Sequence, residues 1–390
     1  MQELTDPDTA GETVRDSHRR LSIPAVAAIS AALALCTLAI PAANGYDPWA
    51  WLVWGREIGR GTLDTTGGPS WKPLPMAGTV VLAPFGALAP AAWLVVTRTL
   101  GFMCVAFTFR IARRYAGVAA GAVAVGLLVL SPDPDPRFVR LLLEGHSGLA
   151  TATFALWAFE RHLDRHVGQA LVVGTALALL RPEAWPFLCV YAVWIWRRDP
   201  RRRPLVAVCL ASIPLLWFVP DWWGSGSPLH GADAAQVAFR DTTNRIELAF
   251  RRAGELVLVP AWIAAAVGLV SAVRRRERAL IVAAGAALVW IALVIAMTAV
   301  FHYAALSRFF LPSVAVACVL GGIGVVRTVD ALPSGSARTV TSLAIVAVVA
   351  IAAAPRATGV ADVVDEVREQ ARLESDLLDV LDKVGGAEGV

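Results

Sequence analysis

The chain has 390 residues, 57% of them hydrophobic, with a mean hydropathy of +0.60 and a net charge of +4. Soluble domains are about 45–50% apolar, so this composition excludes an ordinary soluble fold. The small positive charge is gathered in short arginine clusters beside apolar runs, which excludes a nucleic-acid footprint.

Residues 1–20 are polar and are expected to form a disordered cytoplasmic amino terminus. The apolar run at 21–43 follows Arg15, Arg19 and Arg20, as a signal peptide would. It is longer than a usual signal core, and many apolar runs follow, so a retained first helix is expected. Further spans are expected at 89–111, 115–131, 147–160, 168–181, 183–196, 204–220, 256–273, 279–301, 308–327 and 338–355. A membrane-crossing helix needs about 20 apolar residues. The runs are continuous rather than alternating, which points to helices and not to a barrel. The expected fold is thus an all-α polytopic membrane protein with about eleven transmembrane helices, its membrane domain covering 21–355. The five cysteines lie within apolar runs without metal-ligand spacing and read as small core side chains.

Basic residues set the orientation. Arg110, Arg113 and Arg114, Arg161 and Arg165, the cluster 197–203 and the cluster 274–278 all fall in short connectors on one side. The positive-inside rule makes that side cytoplasmic, in a plasma (inner) membrane with the amino terminus inside and the carboxyl terminus outside. Loops 44–88 and 221–255 are then outer loops. Residues 74–88, apolar but rich in proline, are expected as a juxtamembrane helix on the outer surface. The segment 356–390 carries Val364, Val367, Leu373, Leu377, Leu378 and Leu381 at three- and four-residue spacing among many acids. It reads as an outer, acidic, amphipathic helix.

The residues able to carry chemistry collect on the outer side. Asp47 follows the first span, in Tyr-Asp-Pro-Trp; it serves as a helix cap or as a ligand-binding carboxylate. Trp49, Trp51 and Trp54 follow it, aromatics suited both to a membrane interface and to stacking on sugars. Asp64 lies in a turn and reads as a turn-forming residue, or as a second oxygen donor that joins Asp47 on a divalent cation such as Mg or Mn. Lys72 is an interfacial lysine or faces a phosphate. Arg181-Pro-Glu183 interrupts two apolar runs; Arg181 and Glu183 pair locally, or Arg181 cradles a lipid phosphate with its planar fork. His302, Tyr303 and Arg308 form another polar cluster, with Arg308 a further phosphate candidate. Glu144 and His146 begin a span and read as a helix-start acid and a surface histidine, with Glu144 a secondary site candidate. Trp222, beside Trp223, either anchors the second outer loop or walls a carbohydrate site. No phosphate-binding glycine loop, G-x-S-x-G elbow or H-E-x-x-H motif is present.

In order and placement these motifs resemble the GT-C superfamily of membrane glycosyltransferases. Tyr46-Asp47-Pro-Trp matches the essential aspartate of that family's first outer loop, and Lys72-Pro-Leu-Pro75 is similar to the element that closes the loop. Ser131-Pro132 resembles a family turn, Arg181-Pro-Glu-Ala resembles the Arg-Pro-Thr-Ala of some mannosyltransferases, and Arg308-Phe-Phe-Leu-Pro312 is similar to a late-span motif. The likeness is nearest to actinobacterial members with an Asp-Pro-Trp-Ala-Trp loop and covers roughly residues 20–330. One departure is the second acid at the start of the fourth span, for which only Glu144 could serve.

The resemblance implies an inverting transferase using a polyprenyl-phosphate sugar donor and a cell-envelope glycan, lipid or protein acceptor. Asp47 would be its base or metal ligand. Arg181, Arg308 and Lys72 would hold the donor phosphate, and Trp49, Trp51, Trp54, Tyr303 and Trp222 the substrates. The alternatives are a transporter or flippase for a lipid-linked or anionic solute and a membrane scaffold without chemistry. Broken helices meeting at mid-membrane would favour transport, whereas acids confined to outer loops favour the enzyme.

Overall fold

The computed structural model describes residues 21–130, 137–237, 244–255, 257, 259–333 and 335–383. The expected disorder of residues 1–20, the Ser131-Pro132 turn and the last residues, 384–390, lie outside the described residues. Among the described residues the chain is all helical and contains no strand.

The helices follow the expected apolar runs closely. They are α1 (Ile23–Thr37), α2 (Tyr46–Arg60), α3 (Pro73–Leu82), α4 (Ala89–Val129), α5 (Arg137–Leu143), α6 (Gly148–Leu163), α7 (Val167–Leu180) and α8 (Trp185–Arg198). There follow α9 (Arg203–Ser225), α10 (His230–Val237), α11 (Arg245–Glu255), α12 (Val259–Arg274), α13 (Arg278–Phe301), α14 (Leu311–Asp330) and α15 (Ser336–Lys383). The expected spans 89–111 and 115–131 are the two arms of α4. Its backbone breaks at Ala116 and Gly117, where Gly117 takes φ 81°. The segment 74–88 forms α3 and a 3₁₀ turn at Ala83–Leu88. The expected last span and the acidic tail share one helix, α15.

Four helical runs are long and apolar enough to cross a bilayer: Pro73–Val129, Pro200–Ser225, Arg278–Phe301 and Ser307–Asp330. A fifth would be the bent pair Arg245–Gly254 and Val259–Arg274. A run of 24 residues rises about 36 Å, enough for a hydrocarbon core of about 30 Å. Large apolar side chains face outward along these helices, among them Val208, Val219, Val282 and Leu288. Such an exterior fits lipid and not water.

Helix α14 is the centre of the bundle and is buried nearly all round. Small residues let its neighbours approach. A Cβ at Gly324 would run into the backbone of Ala264 and Gly268 on α12, and one at Gly322 into Ala120 and Ala124 on α4. This is how helices pack in lipid, where apolar side chains gain little from leaving an equally apolar solvent.

Two ends of the bundle are distinct. At one, Arg98 of α4 donates to Thr37 O at the end of α1 (2.8 Å) and to Leu143 O at the end of α5 (3.3 Å), while Trp93 donates to Gly145 O. Roughly 18 Å further along α4, Arg110 pairs with Glu160 and Arg114 with Asp164, both at 2.6 Å. At that second end Arg327 also holds Glu277 and Tyr115 O. The arginine connectors thus sit at one end, and loop 44–73 at the other.

The tail portion of α15 reaches the loop end. Val363 and Val367 are buried against Leu143, with Ile40, Ala42 and Val139 around them. Arg140 of α5 pairs with Glu366 at 2.5 Å, and Trp49 hydrogen-bonds to Glu374.

A candidate active site around Asp47

Helix α2 opens at Gly45, whose extended backbone caps it, and Pro48 suits its first turn. Asp47 therefore lies inside the first turn and is not the N-cap residue. The helix-cap alternative is corrected on that point. Instead Asp47 Oδ2 accepts from Lys72 Nζ at 3.4 Å and from Arg308 Nη2 at 3.1 Å.

Each partner is set by local chain chemistry. Lys72 is extended because Pro73 follows it and starts α3. It is buried over the ring of Trp51, 5.0 Å from its centroid. Arg181 ends α7 in an extended conformation before Pro182, which throws its side chain inward, where it is fully buried. Arg308 occupies the 3₁₀ turn Ser307–Phe310 that leads into α14. Arg181 lies 3.9 Å above the Phe309 ring and Arg308 5.8 Å from it, so one aromatic carries both guanidinium groups.

The second feature is a bridge. Tyr303 Oη accepts from Arg181 Nη1 at 3.4 Å and donates to Glu183 Oε1 at 3.0 Å. Arg181 and Glu183 are thus joined through a phenol and not as the direct local pair that their spacing allowed. Both are fully buried, yet Arg181 Nε and Nη2 and Glu183 Oε2 have no partner in the structure. Buried polar atoms are nearly always satisfied, and each exception needs an explanation. Of ten such side-chain atoms among the described residues, six lie in or beside this cluster: Asn44 Oδ1, Trp51 Nε1, His146 Nδ1, the two on Arg181 and the one on Glu183.

The charges act on one another. Burial alone would raise the carboxyl of Asp47, but Lys72 and Arg308, with His146 and Arg181 behind them, hold it down at about 2. Burial pushes the Lys72 ammonium down to about 8, against the pull of Asp47. Burial drives the Tyr303 hydroxyl well above its usual range, and Glu183 adds to the effect. Glu144 would also rise on burial; its hydrogen bond with His146 and the charges of His146 and Arg140 lower it.

No known family model matches the chain. No curated protein matches it either. The reading of the site therefore rests on its geometry.

The remaining sequence candidates divide clearly. Glu144 joins the site's edge, between Arg140 and His146 at 3.2 Å each. Asp64 stays apart: it is exposed, and its Oδ1 accepts from Thr66 N (2.9 Å) and Oγ1 (2.6 Å), a local turn whose hydrogen bonds lower its carboxyl. No group of three or more potential metal ligands occurs among the described residues. Asp47 Oδ2 accepts from two cations, whereas Asp64 Oδ1 accepts from Thr66 in its own turn. His302 is the left-handed residue that ends α13, at φ 57°, and joins neither bridge nor cations.

The tryptophans also separate. Trp51 is fully buried beneath Lys72, and Trp54 packs against Trp71 in a core that leaves no open face for stacking. Trp49 is half-buried against the tail helix, and Trp222 is 62% exposed. Sequence reasoning passed over Phe309 as a platform and Asn44 as an open acceptor. The run Arg308-Phe309-Phe310, which sets an aromatic beside a cation, was a signal for the first; the second had none.

Proposed function

We propose that the protein is an inverting glycosyltransferase that moves a sugar from a polyprenyl-phosphate donor to a cell-envelope acceptor on the outer face of the plasma membrane. The observation that carries this reading is the convergence of Lys72, Arg181 and Arg308 around one half-buried carboxylate, with two guanidinium nitrogens of Arg181 unpartnered. A lipid phosphate would complete them, because guanidinium and phosphate match in charge and in fork geometry. The unpartnered Glu183 Oε2 suits a donor hydroxyl beside that phosphate.

In this reading the three cations stabilise the phosphate as its negative charge grows during departure. The acceptor hydroxyl enters beside Asp47, so that its oxygen faces the anomeric carbon opposite the leaving phosphate. The eleven-span GT-C-like architecture, with a cytoplasmic amino terminus and an outer carboxyl terminus, belongs to the same proposal. It is supported by the arginine connectors at one end of the bundle and the site at the other.

The test is equilibrium binding of a short-chain polyprenyl phosphate to the purified protein in nanodiscs. Saturable binding that is lost in Arg181→Ala and Arg308→Ala is expected. Equal binding by both variants and the parent would reject the site.

A further inference from the structure

Asp47 is a poor resting place for the acceptor's proton. Lys72 and Arg308 share one of its oxygens and keep its carboxyl at about 2. General-base catalysis works best from a group whose pKa lies near the working pH. A more suitable group stands beside it.

His146 lies between α5 and α6, two residues after Glu144. Its Nε2 is 3.2 Å from Glu144 Oε2. The backbone of α2 closes on the ring: Gly45 N donates to Glu144 O at 2.9 Å, and a Cβ at Gly45 would come within 2.7 Å of His146 Nε2. The other ring nitrogen, Nδ1, is buried without a partner. A neutral imidazole that gives Nε2–H to Glu144 keeps its lone pair on Nδ1. His146 and Asp47 also lie near enough for their charges to favour each other.

We propose that His146, oriented by Glu144, takes the proton of the acceptor hydroxyl on Nδ1; this rests on the transfer reading above. The acceptor oxygen then forms its bond to the anomeric carbon. The bond from that carbon to the phosphate oxygen breaks, and the phosphate leaves with the electron pair towards Lys72, Arg181 and Arg308. The imidazolium so formed is stabilised by Glu144 and Asp47. The cations that oppose it are already engaged: Arg140 with Glu144, and Lys72 and Arg308 with Asp47. A carboxylate that fixes the tautomer and steadies the imidazolium is the arrangement of hydrolytic triads, which recurs on unrelated folds.

The experiment combines two measurements on protein in nanodiscs. One is the pH profile of polyprenyl phosphate release from a panel of polyprenyl-phosphate hexoses and pentoses, with an octyl glycoside acceptor. The other is direct binding of polyprenyl phosphate. Turnover of the parent should rise with pH along one limb, as expected of a base that must be unprotonated to act. His146→Gln should lower kcat by about 10²–10⁴-fold and abolish that limb, with polyprenyl phosphate binding unchanged. Glu144→Gln should lower kcat as well, since it removes the carboxylate that orients the ring, with polyprenyl phosphate binding unchanged.

A parent limb near pH 2–3, or the same limb in His146→Gln, would overturn the proposal and return the proton to Asp47, leaving the transfer reading intact. Failure of the parent to bind polyprenyl phosphate would remove the transfer reading, and this inference with it.

Discussion

Arg308 donates from Nη2 to Asp47 Oδ2 over 3.1 Å, although 261 residues of chain separate them. The contact ties the start of α14, the most buried helix, to the first turn of α2. Lys72 and Arg181 gather at the same carboxylate. A single anion thus holds together cations that would otherwise repel one another in a confined site. Taking that anion away should affect stability and ligand binding as well as chemistry.

Asp47→Asn removes the charge while keeping the volume. Gly45 and not Asp47 is the N-cap, so α2 should form as before. Lys72 and Arg308 are left as confined like charges, and since the pair is only half-buried the cost should fall below the roughly 3–5 kcal/mol of a fully buried pair that loses one partner. A lower Tm is therefore expected, along with loss of most transfer. Added polyprenyl phosphate should raise the Tm of the variant more than that of the parent, because its phosphate replaces the missing charge. A thermal shift smaller than the parent's would count against a phosphate site at these cations.

Arg308→Lys keeps the charge but loses the fork that can hold Asp47 and a phosphate oxygen together. Polyprenyl phosphate affinity should fall about tenfold or more, the scale of one lost charge-assisted hydrogen bond. Arg201→Lys, at the far end of the bundle, should bind as the parent does. Equal losses in both variants would mean that the measurement reports general destabilisation.

Lys72 gives the site a pH dependence of its own. Its pKa in the folded protein is lowered to about 8 from an ordinary 10.5. Below about pH 8 it is charged in both folded and unfolded states, and its burial costs stability. Between about 8 and 10.5 it is neutral only when folded, so this cost is relieved as pH rises. Phosphate needs the ammonium, so its binding should be full below pH 8 and weaken above it. The second ionisation of a phosphate monoester, near pH 6, is complete by then and cannot produce the change. Titrating polyprenyl phosphate binding from pH 7 to 10 checks this. Lys72→Arg should flatten the curve, and a parent curve that is already flat would take Lys72 out of the site.

The helices were legible because apolar runs are bounded by arginines and prolines, although among the described residues only four, or five with the bent pair, are long and apolar enough to span. Gly148–Leu163, Val167–Leu180 and Arg278–Phe301 lie within a few residues of the expected 147–160, 168–181 and 279–301. Arg181 and Arg308 stood out because a charge beside hydrocarbon is expensive unless it has a partner. The Tyr303 bridge was not legible, since it depends on the chain reversing at His302 and bringing a phenol back to α7. Nor could sequence separate Trp54, packed in a core, from a tryptophan free to stack. Both read as an aromatic in a loop; only tertiary burial tells them apart.

Side assignment can be tested by labelling. Asp64→Cys places a thiol in an exposed turn of the first loop, and Arg275→Cys places one in an arginine connector at the far end. Native Cys36 and Cys189 are exposed on the bundle and must first be replaced, for example with serine or alanine. A membrane-impermeant maleimide added to intact cells should label position 64 and spare position 275. The reverse pattern would put the candidate site in the cytoplasm and end the envelope-transfer reading.

The tail portion of α15 bears on the site through Val363 and Val367, which are 2% and 1% exposed. Burying a valine contributes about 1.5–3 kcal/mol, so these two contacts outweigh the Arg140–Glu366 pair, half of which is exposed and whose like contribute about 0–1 kcal/mol. Val367→Asp would bury an unpaired carboxylate against Leu143 and should release the helix. Glu366→Gln should leave it docked. Arg140, which also holds Glu144, then loses its cover, and the Glu144–His146 contact loosens. Hydrogen exchange should show faster exchange across 360–383 in Val367→Asp and little change in Glu366→Gln. If the first variant also keeps full turnover, the tail is a passive cover; a loss of turnover that Glu366→Gln does not share would make valine docking the contact through which the tail sustains the site.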